Sequence, residues 1–255
     1  MDSLLENEDL QLIVDFYVDG ERQGPGSHEE TGKALKLSGI HPSESLKVAD
    51  IGCGCGSQTL DLAKLTHGKV VAVDLFPEFL EEVKHRADDL GVSDKISTLQ
   101  CSMEDLPFEE ESLDLIWSEG AIYNMGFQKG LQAWNKFLKP GGIIGVSEIT
   151  WLKDKRPEEI EKYWTGEYSE MYTEEVKREQ MKQCGYELLG SFTLSEKSWE
   201  KNYYAPMLKR IPDFLSRHKA DEQAEALVKA QETEIELYNK YKDYYGYVFY
   251  IGRKI

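Results

Sequence analysis

The sequence predicts an α/β protein built on a mostly parallel sheet covered on both faces, and three observations point there. Apolar runs of strand length alternate with helical patterns up to about Thr150, the order expected of parallel strands joined by crossover helices. One run, VADI, holds Asp50 near its end and opens into Gly52, Gly54 and Gly56 at alternate positions before a helix at about Ser57. The next, KVVAVD, closes on Asp74, 22 residues after Gly52. At 255 residues the chain can hold one large core with additions, and it shows no internal repeat.

Each element has its own local signal. An amphipathic helix is expected over about Leu4 to Val18, with Leu5, Leu12, Ile13 and Phe16 as its apolar stripe and Gly20 as its stop. The loop ERQGPGSHEE follows; Ser27 with Glu30 three residues later reads as a capping box that opens a helix through Leu37. Strands are expected at residues 48–51, 69–74 and Ile96–Gln100, then at LDLIWSE and at IIGVSEI. Pro77 lies early in one intervening helix and Gly91 follows it. Beyond Trp151, helical patterns cover Pro157–Trp164 and Thr173–Cys184, and YELLGSFTL reads as a strand. A pair of charged helices then spans Trp199 to Tyr241 before a last strand, GYVFYIGR.

The glycine turn is where function first becomes legible. Glycine at alternate positions allows positive φ and close approach of backbone to a ligand, and a helix N-terminus following it points N–H groups into the same space. Asp74 stands where a ribose-binding carboxylate belongs in such a unit. The turn is not a dinucleotide fingerprint, because G-x-G-x-x-G needs its third glycine where Ser57 stands. That argues against NAD and FAD, and a nicotinamide-dependent oxidoreductase becomes a distant reading. No G-x-x-x-x-G-K-[ST] run is present either, which argues against a P-loop.

DIGCGCG followed by a strand ending in Asp resembles the first two motifs of class I S-adenosylmethionine-dependent methyltransferases. Further segments match in the same order across residues 48–149: CSMEDLPF resembles the adenine-holding segment, LDLIWSEGAIYNMG the segment under the methionine portion, and FLKPGG the turn before the fifth strand. The resemblance implies a Rossmann-like seven-stranded sheet, mostly parallel with one antiparallel strand. An N-terminal helical lid and a helical insertion of about 50 residues between the last two strands complete it. Residues 1–39 would then be helices and lid, 40–150 the cofactor-binding core, and 151–255 the substrate-side helices with the last two strands. The resemblance extends to quinone-biosynthesis methyltransferases, and RQGPGS is similar to the N-terminal loop of a bacterial subgroup in which it folds over the cofactor.

Carried onto this chain, the resemblance implies a site for S-adenosyl-L-methionine, with S-adenosyl-L-homocysteine as product. Asp74 would accept the ribose hydroxyls, and Asp50 would fix the glycine turn and help hold the amino end of the cofactor. Gly52, Gly54 and Gln58 belong to the turn and its helix; Leu75 and Phe76 would wall the adenine, and Met103 would offer its backbone N–H to the ring. Ser102 stands where the family often has an acidic residue, so one adenine contact changes character. Gln23, Gly24 and Ser27 would close over the methionine moiety, with Glu119 at its α-amino group. For a general base the candidates are Glu119, Tyr123 and Glu148, with His28 reaching in through the lid.

Composition bounds the partners. The formal net charge of −17 argues against a nucleic acid substrate. The longest apolar stretches fall far short of a membrane span, and MDSLLENEDL lacks the features of a secretory signal, so a cytoplasmic enzyme is expected. Cys53 and Cys55 flank Gly54 and read as small turn residues; no Cys or His spacing forms a metal shell, so no metal is expected. Twelve of the fourteen tyrosines follow residue 160, which suits a pocket wall or a homodimer contact. The sequence is thus read as a methyltransferase acting on a small-molecule acceptor. A catalytically inactive cofactor-binding regulatory or assembly protein is the alternative, separated by whether an open acceptor cavity exists or the aromatic cap fills it.

Overall fold

A computed structural model describes residues 8–41 and 45–255. Among the described residues seven strands form one sheet in the order β3-β2-β1-β4-β5-β7-β6. They are β1 Lys47–Ile51, β2 Lys69–Asp74, β3 Ile96–Gln100, β4 Leu113–Glu119, β5 Leu138–Trp151, β6 Tyr186–Thr193 and β7 Tyr245–Lys254. The first five run parallel, and β7 lies antiparallel between β5 and β6. Central β1 and β4 are buried along most of their length, whereas edge strand β3 alternates between half-buried and exposed, as the two positions in a sheet require.

The fifth strand exceeds the predicted IIGVSEI at both ends, because β7 pairs with it as far as Trp151 and Leu138 at its start pairs with Leu113 of β4. Gly145 within it has a clear purpose: a Cβ there would sit 2.5 Å from the indole of Trp117 on β4. Helices α2 (His28–Leu37) and α3 (Ser57–Leu65) cover one face of the sheet with α4 (Pro77–Asp89). Helices α5 (Phe127–Asn135) and α7 (Glu174–Gln183) cover the other, and α6 is Glu158–Glu167.

Residues 194–244, between β6 and β7, hold two helical rods. The first, α8, runs as Glu196–Trp199, a π turn over Glu200–Tyr204, then Ala205–Arg217, and so begins ahead of the Trp199 expected from sequence. The π turn has a local cause. Pro206 lacks an N–H and its ring crowds the carbonyl of residue 202, so the helix widens there. The second rod, α9, is Glu222–Tyr241, capped by Asp221, whose carboxylate accepts from Gln223 N and Ala224 N.

These rods pack with the N-terminal helix α1, described over Glu8–Tyr17, into an aromatic second core on Ile149 and Trp151 of β5. The predicted stripe of α1 divides between environments. Leu12 and Phe16 are buried against the rods, with Phe16 edge-on to Phe214 at 4.9 Å, and Val14 packs on Cys55 and Phe79. Ile13 is exposed, because with Leu10 and Tyr17 it faces a cavity that the helix covers. Leu5 lies outside the described residues.

Candidate functional site

A cavity of about 770 Å3 runs from the glycine turn, beneath α1 and the RQGPGS loop, to the aromatic rods. Gly52, Gly54 and Gly56 have φ of 70°, 53° and 82°, values that glycine adopts without strain. The backbone N–H groups of the turn are all engaged within the protein. Gly52 and Cys53 donate to Val73 O, Gly54 to Asp74 Oδ2 at 2.8 Å, Cys55 to Gln23 Oε1 at 2.9 Å, and Gly56 to Cys53 O. Hydrogen bonds within the protein therefore hold the turn in shape. It offers the cavity the bare backbone edges of Gly52 and Gly54, and a Cβ on Gly54 would run into Gln23.

Asp74 lines the cavity next to Gly54, with its other oxygen accepting from Phe76 N at 3.2 Å. Burial raises its pKa, and N–H groups of Gly54, Phe76 and Leu75 oppose that rise. Leu75, Ser102 and Met103 continue the wall, and the Met103 carbonyl is fixed by the indole N–H of Trp134 at 3.1 Å. Ser102 Oγ accepts from Glu104 N, which makes it a turn former as well as a wall residue.

Asp50 is fully buried one layer behind the wall. It accepts from Thr59 Oγ1 at 2.5 Å and from Gln58 Nε2 at 3.4 Å, so it braces the first turn of α3 and does not face the cavity. Burial lifts it to about 7; the negative charges of Glu119 and Asp74 add to the rise, against the Thr59 and Gln58 bonds. Gln58 lines the cavity while its amide also donates to Cys53 O.

The lid loop contributes differently from expectation. Gln23 and Gly24 line the cavity; Gln23 Nε2 donates to the carbonyls of Tyr17 and Gly20 at and just beyond the end of α1, while its Oε1 accepts from Cys55 N and pins the loop to the glycine turn. Ser27 is buried off the cavity wall because it caps α2, accepting from Glu30 N at 3.2 Å. The other half of the expected capping box is replaced, for the Glu30 carboxylate accepts from Ser195 N and Ser198 Oγ across the fold. His28 points outward with a 62% exposed side chain held by Asp61 at 2.6 Å, so it does not reach the cavity.

Glu119 lines the cavity but is fully engaged: Arg22 at 3.0 Å, Thr31 Oγ1 at 2.7 Å and Trp117 Nε1 at 2.9 Å all donate to it. That anchoring suits a binding group better than a base. Arg22, which sequence reasoning missed, is buried on the cavity wall between Glu119 and Asp61, and its Nη2 has no hydrogen-bond partner. Its one signal in the sequence was its place in RQGPGS. Glu148 is fully buried away from the cavity and pairs with Lys177 at 2.9 Å. Burial pushes Glu148 up and Lys177 down while their attraction opposes both shifts.

The far arm is aromatic. Tyr17, Tyr123, Tyr163, Trp164, Trp199 and Tyr203 line it together with Tyr247, Gln231 and Glu234. Tyr123 is partly exposed to this space, and its hydroxyl proton is held more firmly through desolvation, then through the charges of Glu234 and Glu148. Glu234, also missed in the sequence, comes from α9 and accepts from Tyr204 OH at 2.9 Å. Cys53 and Cys55 are buried and free, with burial raising both thiols, Cys55 to about 12. Among the described residues no group of three His, Cys, Asp or Glu is placed to hold a metal ion, and no helix is long and apolar enough to cross a membrane.

Comparison with known proteins places this geometry. Residues 48–142 match the family model described as a methyltransferase domain. A sterol 24-C-methyltransferase of Debaryomyces hansenii is 28% identical over 218 residues, 77% of this chain but 57% of that protein; the chain thus spans little more than half of that relative. A SAM-dependent methyltransferase from Geobacter sulfurreducens, solved with S-adenosyl-L-homocysteine, superposes with a TM-score of 0.83 at 18% identity, over 96% of this chain and 98% of that one. Another from Thiobacillus denitrificans, also with S-adenosyl-L-homocysteine, gives 0.81 at 20% identity over 97% and 98%.

Proposed function

We propose that the chain is a class I S-adenosylmethionine-dependent methyltransferase that methylates a small-molecule acceptor: residues 48–142 match a methyltransferase domain, and the fold is that of S-adenosylmethionine-dependent methyltransferases. The observation that carries this reading is one continuous cavity joining Asp74 and the glycine turn to the aromatic arm. The residues present fit the cofactor. Asp74 offers a carboxylate beside bare glycine backbone, suited to paired ribose hydroxyls. Leu75 and Met103 supply apolar faces for a base. Arg22, whose buried Nη2 makes no hydrogen bond and lies 3.5 Å from Asp61, stands beside Glu119, and together they suit an amino-acid end that carries both a carboxylate and an ammonium.

When bound, S-adenosylmethionine supplies a methyl group on a positively charged sulfur, open to in-line displacement. The protein's work is then to hold the acceptor atom on that line and to exclude water. Gln23 and α1 close the cavity from above, and the aromatic arm holds the acceptor in a dry environment. A cavity that continues beyond the cofactor end favours catalysis over a purely cofactor-holding role.

Titration calorimetry with S-adenosyl-L-homocysteine tests the binding half. Asp74→Asn is expected to weaken binding about 10- to 100-fold, the range for a hydrogen bond to a charged group. Gln23→Ala weakens it less. A metabolite extract incubated with labelled S-adenosylmethionine, followed by mass spectrometry, then identifies the acceptor. Absence of S-adenosyl-L-homocysteine binding by the unaltered protein would sink the reading.

A further inference from the structure

The aromatic arm has a charge pattern that selects among acceptors, and the argument rests on the methyltransferase reading above. Among the described residues lining the cavity, Arg22 is the only cationic side chain, and Glu119 already holds it at the cofactor end. The arm itself carries Glu234, with Glu167 exposed at its rim. Glu234 lines the same cavity as Tyr17, Tyr123, Tyr163 and Tyr203. Tyr204 donates to one of its oxygens at 2.9 Å and so orients it.

Aromatic faces attract cations, and a carboxylate sunk among them is costly unless a cation pairs with it. No cationic side chain lines this arm, so a cationic ligand would complete the pairing. We propose that the methyl acceptor is an amine on an apolar frame, and that Glu234 binds its ammonium and takes the proton that must leave before transfer. The acceptor ammonium gives one proton to the Glu234 carboxylate. Its freed lone pair forms the new nitrogen–carbon bond as the methyl's bond to sulfur breaks, the electron pair staying on sulfur as a neutral thioether. The product is the methylated ammonium. Burial raises the proton affinity of Glu234, which suits a proton acceptor.

The test uses the full chain saturated with S-adenosyl-L-homocysteine and probes of equal shape but different charge. Tryptamine and phenethylamine are the cations, tryptophol and 2-phenylethanol the neutral counterparts, and indole-3-propionate the anion. Calorimetry is expected to show amines binding about ten-fold or more tighter than their alcohols, with the anion excluded. Glu234→Gln, whose amide oxygen still accepts from Tyr204, should erase that preference and leave homocysteine-product affinity unchanged. Tyr204→Phe, a change at a positioning residue, should reduce the preference without abolishing it. Equal binding of amine and alcohol, no amine binding, or a preference that survives Glu234→Gln would overturn the proposal. Each of these would leave the methyltransferase reading standing as long as the product analogue still binds.

Discussion

Asp50, Asp74 and Glu119 lie at or near the ends of adjacent strands, yet each meets a different environment. Asp74 faces the cavity, Glu119 is locked by three donors, and Asp50 is sealed behind the turn. Asp50 binds its proton more tightly folded than unfolded. The folded state therefore holds an extra proton between pH 3.8 and about 7, and stability falls as pH rises through that window. Asp50→Asn should flatten this fall in urea midpoints measured across the window, while the raised Asp74, Glu148 and Glu234 keep some slope. An unchanged slope would mean Asp50 is ionised throughout. Residues singled out by spacing near Asp74 line the cavity, because strand ends in a parallel sheet share one crevice. Spacing does not separate wall from backing layer: Asp50 braces the turn from behind the wall, and Ser27 and His28 lie off the cavity. Arg22 and Glu234 were missed because nothing near them in sequence sets their roles: Glu119 lies 97 residues from Arg22, and Glu234 acts through tyrosines from distant segments.

At the scale of elements, helix α7 is tied to β5 by the Lys177–Glu148 pair, both side chains wholly buried. Lys177 also donates to Glu170 O at 3.0 Å and lies over the ring of Phe127 at 4.5 Å. Removing one partner strands a buried charge, so Lys177→Met is expected to cost about 3–5 kcal/mol in denaturant unfolding. Adding Glu148→Gln should recover part of that loss; a double variant as unstable as the single would show that packing, not charge, sets the cost. The strands were legible because each apolar run is short and punctuated. The π turn was not, since its cause, Pro206, reads in sequence as an ordinary early-helix proline. That widening matters locally: Asn202 within it donates to Gly26 O at 2.8 Å and ties the rods to the lid loop.

At the scale of the molecule, α1, the lid loop and the rods form a second layer over the sheet's C-terminal edge, and the cavity lies between. A ligand that bridges the two layers stabilises both. S-adenosyl-L-homocysteine at 100 times its Kd should add about 2.7 kcal/mol, a rise in Tm of roughly 5–10 °C for a chain of this size. Asp74→Asn should suppress that rise at the same concentration, and an equal rise in both would remove Asp74 from the binding site. The sequence by itself determined the sheet, the glycine turn and the family resemblance, because these rest on hydrophobic periodicity and on backbone demands felt within a few residues. Only the tertiary structure decided which carboxylates face the ligand, how Arg22 and Glu234 are placed, and what lines the acceptor arm. Those depend on contacts between segments far apart in the chain, and no local pattern encodes the side a packed element will present.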